Sequence, residues 1–296
     1  MCVLHEDTCS RPSSAHPGMA DINAAVMPQS NSDSGAPAPY VTLFLVRHGE
    51  THLNASHVLQ GSGVDPPLNA TGNEQARLVG ERFSREQVDG VASSWLLRAR
   101  ETAQYIHKYH PHTPFQVIPD LAEIHWGKFD GVAIPTDVAK LVDAWKDGNF
   151  DARLPDGESA AEAEARAVSA LGRYLDEQGG GNRHLVIVLH GRLLRILLSS
   201  LLDGVLDRMP IYEHRNTCVN ELRVYRRNIG PEETTDAAVL APWARDAGRQ
   251  PSKVRRALGR YHFEAVRLND AHHLAKLDAS QAVAPTSLPT PLTASQ

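Results

Sequence analysis

Two stretches of this chain end an apolar run in a histidine followed by a glycine. In the first, Leu43-Phe44-Leu45-Val46 leads into Arg47-His48-Gly49-Glu50. In the second, Leu185-Val186-Ile187-Val188-Leu189 leads into His190-Gly191. Imidazole can act as nucleophile or proton carrier near neutral pH, and a guanidinium offers a fixed fork of donors to an oxyanion. Arg47 beside His48 therefore suits a doubly charged oxyanion. One histidine at a strand end is ordinarily structural, but two in the same context point to a shared site.

The elements that must position these groups follow from pattern. Short apolar runs read as strands buried on both faces, with their polar residues at the C-terminal tips, where open α/β sheets bind ligands. Gly49 and Gly191 allow close backbone approach there. Strands are expected at 41–46, 90–93, 115–118, 185–189, 219–225 and 261–267. Helices are expected near 71–86, opened by a Thr71/Glu74 capping box, and at 96–108, 135–147, 159–177 and 192–202. In the fourth of these helices, Ala161, Ala165, Val168, Leu171 and Leu175 form one apolar stripe. Repeated strand–helix alternation predicts a three-layer α/β/α sandwich around a mostly parallel sheet.

The motifs resemble those of the histidine phosphatase superfamily, the phosphoglycerate-mutase-like enzymes. Arg47-His48-Gly49-Glu50-Thr51 with Asn54 is similar to R-H-G-E-T-x-x-N, and Gln60-Gly61 with Asp65, Pro67-Leu68 and Gly72 to the run that follows it in the family. Ser93-Ser94-Trp95-Leu96-Leu97-Arg98-Ala99, Leu121-Ala122-Glu123, Pro155-Asp156-Gly157-Glu158-Ser159 and His190-Gly191 with Arg195 match the remaining motifs in family order. The resemblance spans about residues 41–225.

It implies a metal-independent phosphomonoester hydrolase working through a phosphohistidine. The nucleophile would be His48, which is partly unprotonated near neutrality at the ordinary pKa of about 6.5. Arg47, Arg98 and His190 would surround the phosphoryl oxygens, with Asn54, Gln60, Gly61 and the Gly191 N–H adding contacts. Glu123 would serve as general acid and then activate water. No cofactor is expected. His52 and His57 are read as solvated loop residues, and His107, His110, His112, His272 and His273 lack a metal-ligand pattern, so no metal site is expected. Ser159 is read as a helix cap, with Glu158 reaching the site as the sharper option. Arg192 is read as a surface cap or as charge for a second phosphate.

Composition bounds the rest. Of 296 residues, 42% are hydrophobic and 22% charged, with a net charge of −5, which disfavours a nucleic-acid partner. Three cysteines, Cys2, Cys9 and Cys218, make no disulfide framework and suit a reducing compartment. The expected setting is the cytoplasm, with the nucleus left open, no membrane partner, a small phosphorylated substrate, and a monomer or homodimer. Residues 1–38 read as a disordered leader in which Met19 is an alternative start. Residues 39–278 read as the phosphatase domain, and 279–296 as a disordered tail. Residues 226–260, with Pro231, Pro242 and Pro251 and a basic end at Lys253, Arg255, Arg256 and Arg260, read as a solvated insertion, the alternative being a basic flap over substrate.

Two other activities fit the same core motifs: a phosphoglycerate mutase-type phosphotransferase, and a fructose-2,6-bisphosphatase-like sugar phosphatase. Glu123 and His190 lie only 67 positions apart (190 − 123). The resemblance implies a longer span in mutases, so hydrolysis is favoured.

Overall fold

A computed structural model describes residues 39–228 and 235–283. The leader 1–38, with Cys2, Cys9 and Met19, residues 229–234 with Pro231, and the tail 284–296 lie outside the described residues.

The central sheet grows from two strands that alternate between two cores. In β1 (Tyr40–Arg47), Leu43 and Leu45 enter one apolar cluster while Phe44 and Val46 enter the other. In β4 (His184–Leu189), Leu185, Ile187 and Leu189 join the first cluster, and Val186 and Val188 the second. Period-two alternation of purely apolar residues demands cover on both faces. That cover comes from α2 (Ala70–Phe83) and α3 (Leu97–His107) on one side. On the other lie α5 (Ala160–Gln178) and α6 (Gly191–Leu198). The short helices α1 (His52–Ala55) and α4 (Thr136–Lys146) complete the set before β4.

With β2 (Gly90–Ser93), β3 (Phe115–Val117), β5 (Val219–Arg226) and β6 (Tyr261–Asp270), the six-stranded sheet has the order β3-β2-β4-β1-β5-β6. The β1–β4, β2–β4 and β2–β3 pairs are parallel, and β5 runs antiparallel to both its neighbours. The result is the expected three-layer sandwich around a mostly parallel sheet.

Several local expectations shift. Helix α2 is capped two residues before Thr71, at Asn69, whose side chain accepts the Gly72 N–H at 2.7 Å. Glu74 pairs with Arg77 instead of closing a capping box. The apolar face of α5 includes Ala160, Ala163 and Ala167, while Ala165 is exposed and Ala161 half-buried. Alanine spacing alone does not fix a helix register. Helix α10 (Ala275–Val283) continues past residue 278.

The larger correction concerns residues 235–260, which are not a solvated insertion. They form α7 (Asp236–Val239), α8 (Pro242–Asp246) and α9 (Lys253–Ala257). Val239, Leu240 and Ala244 bury themselves with Val205. Helix α6 runs on into a π-helical turn over Ser199–Asp203, which presents carbonyls to this segment. Arg255, buried among them, donates to the Ser200 and Leu201 carbonyls at 2.9 and 3.2 Å. Arg256 and Arg260 pair with Asp236 and Asp176. The basic end of this segment is therefore structural rather than a flap over substrate.

Candidate active site

Register brings the two histidines together. Arg47 pairs with Leu189 across the parallel β1–β4 ladder, so the next residue of one strand and of the other emerge side by side. The His48 and His190 rings lie 5.2 Å apart, centroid to centroid, and both are buried. Gly49 permits this exit from β1. A Cβ there would sit 2.5 Å from the Gly72 carbonyl oxygen, so the backbone after His48 packs directly on the first turn of α2. The close approach is to protein backbone.

Hydrogen bonding fixes the His48 tautomer. Nδ1 lies 2.7 Å from the Gly49 carbonyl oxygen, which can only accept, so Nδ1 carries the proton and Nε2 keeps its lone pair. Burial, then the charges on Arg98 and Arg47, hold the His48 pKa well below the ordinary value, so the ring is neutral. His190 is depressed likewise by burial, with Arg98 the next largest influence, and neither of its ring nitrogens has a hydrogen-bond partner among the described residues. Two neutral imidazoles held without counter-ions leave room for an anion.

The arginines complete that anion site. Arg98, in the first turn of α3, is fully buried and donates to the Val64 and Gly61 carbonyls at 3.0 and 3.2 Å. Its Nε has no partner, and burial lowers its pKa to about 10. Asp65 steers this turn, accepting the Leu97 N–H at 2.6 Å while standing 4.0 Å from the guanidinium. Arg47 donates to the His214 carbonyl at 2.7 Å and leaves Nε unpartnered. A Cβ at Gly191 would come within 3.2 Å of that Nε, so glycine lets Arg47 lie against the start of α6.

Glu123 sits at the same helix start. Its carboxylate accepts the N–H groups of Ile124, Arg192 and Leu193 at 2.9–3.0 Å. Asn54 and Gln60 both face Thr51: Asn54 Oδ1 accepts its N–H, and Gln60 Oε1 accepts its hydroxyl at 2.6 Å. Gly61 contributes its carbonyl to Arg98, and its N–H goes to Asp130 at 2.7 Å. All the sequence-identified residues thus gather around the β1 and β4 tips, Asn54, Gln60 and Gly61 as the loop wall.

Other residues are placed elsewhere. His52 and His57 are exposed. His107 and His110 bond the carbonyls of Thr113 and Phe83, and His272 bonds Asp270. Among the described residues, no group of three or more His, Cys, Asp or Glu could hold a metal. Ser159 caps α5. Arg192 lies over the paired Trp126 and Trp145, its guanidinium 5.7 Å from each ring. Arg195 turns away to the Pro210 carbonyl.

Two contributors escaped the sequence analysis. Arg166 makes a bidentate pair with Glu158, at 2.6 and 2.8 Å, and donates to the carbonyls of Asp120, Ala122 and Glu123. Glu158 therefore reaches the site indirectly, through the arginine two turns along that grips the Glu123 loop. Glu158 precedes the Ser159 cap and lies outside α5, so no helical spacing marks the pair in the sequence. Asn216 donates to the His48 carbonyl at 3.0 Å from the loop before β5, and no periodicity marks it.

A mostly parallel sheet covered by helices on both faces, with two neutral histidines at the tips of β1 and β4, matches the phosphoglycerate-mutase-like fold. The family model for the histidine phosphatase superfamily (branch 1) matches residues 43–236, and the chain belongs to that superfamily. A protein of Serratia proteamaculans described as a probable phosphoglycerate mutase is 37% identical over 179 residues, 58% of this chain and 78% of that protein. A Bacillus subtilis protein described as an uncharacterized phosphatase is 33% identical over 160 residues, 54% of this chain and 77% of its own length. The α-ribazole phosphatase of Shigella flexneri shares the fold at a TM-score of 0.53 and 26% identity, over 61% of this chain and 89% of that one. Mutase-like and phosphatase descriptions thus both occur among the relatives. No described helix is long and apolar enough to cross a membrane.

Proposed function

We propose that the protein is a metal-independent phosphomonoester hydrolase acting on a small phosphorylated metabolite through a phosphohistidine on His48. The observation that carries this reading is the His48 ring itself: neutral, with its Nδ1 proton bound to the Gly49 carbonyl and its Nε2 lone pair available at the strand tip. Nε2 attacks phosphorus, the P–O bond to the leaving group breaks, and the leaving oxygen takes a proton. Arg47, Arg98 and His190 stabilise the charge on the three equatorial oxygens. Glu123, anchored on the first turn of α6, is the group assigned to deliver the proton and then to accept one from the attacking water. Water cleaves the phosphohistidine and releases phosphate.

Hydrolysis is preferred to mutase transfer because the chain between Glu123 and His190 is short and largely committed to packing. Leu141 and Trp145 of α4, the inner face of α5, and β4 all enter the main core. Little chain remains there to close over a retained intermediate.

The test combines three readouts. The purified protein should release phosphate from p-nitrophenyl phosphate in the presence of chelator. Brief incubation with labelled substrate and an alkaline quench should trap a base-stable, acid-labile phosphoryl group, absent in His48→Ala. With 3-phosphoglycerate, it should give phosphate or no reaction. Label persisting in His48→Ala overturns the nucleophile, and primer-dependent formation of 2-phosphoglycerate faster than phosphate release makes the mutase reading the better one. Glu123→Gln should slow alkyl esters more than aryl esters; equal losses would reduce Glu123 to a positioning residue.

A further inference from the structure

Glu123 of the proposed hydrolase site also lines a cavity of about 520 Å³ whose walls are unlike the surroundings of the two histidines. The inner pocket presents Arg47 and Arg98 with two neutral imidazoles. The outer cavity presents the carboxylates of Asp120, Asp156, Glu158 and Glu162 with the guanidinium groups of Arg153 and Arg166. Each of those guanidinium groups is already paired, Arg153 with Glu162 and Arg166 with Glu158. Asp120 and Asp156 are paired only with residues outside the cavity wall, Arg173 and Lys128. Among the described residues of the wall, no arginine or lysine is left unpaired for a second anionic group.

One wall residue stands out. Trp95 is 40% exposed, although its neighbours Ser94 and Leu96 are completely buried. The Ser94 N–H bonds the Val188 carbonyl of β4 at 3.0 Å, and the Leu96 carbonyl accepts the Ala99 and Arg100 N–H groups that start α3. The indole is thus mounted on the rigid connection between the sheet and Arg98. A large aromatic held at a cavity wall by buried flanking residues is a preformed apolar face, which lowers the entropy lost on stacking.

We propose that Trp95 is a specificity-determining residue that stacks on the leaving-group half of the substrate, and that the outer cavity selects a monophosphate whose remainder is an uncharged, hydroxyl-bearing ring of the sugar type. The indole takes the apolar face of the ring, and wall carboxylates accept from its hydroxyls. A second phosphate or a carboxylate would instead meet like charge, which penalises both a bisphosphorylated sugar and a phosphoglycerate. This inference rests on the hydrolase reading above.

The experiment compares three esters on the full-length protein without metal: glucose 1-phosphate, which has a ring and a neutral remainder; glycerol 1-phosphate, neutral without a ring; and 3-phosphoglycerate, acidic without a ring. The kcat/KM values should fall in that order, by about tenfold at each step. Trp95→Ala should lower the glucose-to-glycerol ratio about tenfold, through KM, and Trp95→Phe should restore most of it. The proposal is overturned if 3-phosphoglycerate is the best of the three, or if Trp95→Ala lowers all three equally. Failure of the hydrolase reading looks different: no phosphate from any of the three or from p-nitrophenyl phosphate, and no label on His48.

Discussion

Two arginines in this molecule are buried alike and do opposite things. Arg98 at the strand tips and Arg255 in the helical segment after β5 are both almost inaccessible, both bond backbone carbonyls, and both have pKa values lowered to about 10 by burial. What faces them differs. Arg255 faces the carboxylate of Glu164, lies 5.5 Å over the Phe263 ring, and donates to two carbonyls of the π-helical turn. Arg98 has Asp65 4.0 Å away on one side and two neutral imidazoles among its neighbours, and its Nε, like Nη1 of Arg255, has no partner among the described residues. A buried cation surrounded by acceptors is already neutralised and holds a fold together. A buried cation that also borders uncharged imidazoles at a ligand-binding edge is prepared for an anion that arrives later.

The strongest way to break this contrast is to remove each arginine and see which property fails. Arg98→Ala should lower kcat/KM by about 100-fold or more, the usual cost of losing one donor aimed at transition-state charge. Arg98→Lys should recover little, because an ammonium cannot reproduce the fork that holds the Val64 and Gly61 carbonyls. Steady-state kinetics on p-nitrophenyl phosphate, with circular dichroism to confirm folding, checks this. Activity near wild type in Arg98→Ala would remove it from the phosphoryl site.

Arg255→Met should behave in the opposite sense. It keeps bulk but removes the charge facing Glu164 and the donor to the Ser200 and Leu201 carbonyls, a loss of about 3 kcal/mol in unfolding free energy. Activity per folded molecule should stay within about twofold, since none of the phosphate-binding groups touches it. Urea unfolding beside single-point kinetics decides. A stable but inactive variant would mean that the helical segment does reach the substrate.

The same contrast explains what sequence could and could not reveal. The runs before His48 and His190 are apolar at every position, which marks strands covered on both faces and places both histidines at tips. Their contact needs the Arg47–Leu189 register, and that follows from the parallel pairing of β1 with β4, residues distant in sequence. The segment 235–260 was misread because its prolines and mixed charges resemble a surface loop. Its packing includes Arg255 donating to the Ser200 and Leu201 carbonyls, contacts distant in sequence that no period marks. Asn69 displaced Thr71 as a cap because both residues are competent and tertiary contacts at the Thr51–Leu68 bridge choose between them. Asn216 lies in an irregular loop, where only three-dimensional proximity to His48 reveals its part.

Acid should separate the two regions by a smaller margin. The histidines around the strand tips are all depressed: His48 and His190 well below the ordinary value, His273 to about 4 and His214 to about 3, with burial the largest cause in each. A base whose folded pKa lies below its unfolded value of about 6.5 binds its proton more readily when unfolded. Its contribution is therefore present above pH 6.5 and is lost as pH falls from there toward the folded pKa. The helical segment has the reverse bias. Glu164, bonded by Ser200 and Ser252, and Asp203, bonded by Tyr212 and Trp243, both have raised pKa values because burial disfavours their charge. For an acid with a raised folded pKa, lowering the pH through that value favours the folded state. Between pH 7 and pH 5, amide exchange corrected for its intrinsic rate should therefore accelerate in residues 213–219 and at the start of α6, while α8 and α9 stay level or gain protection. Equal acceleration in both regions would show that the buried histidines and carboxylates do not set the local acid response. Greater loss in α8 and α9 would invert the assignment of which buried charges are satisfied in the folded chain and which are held open.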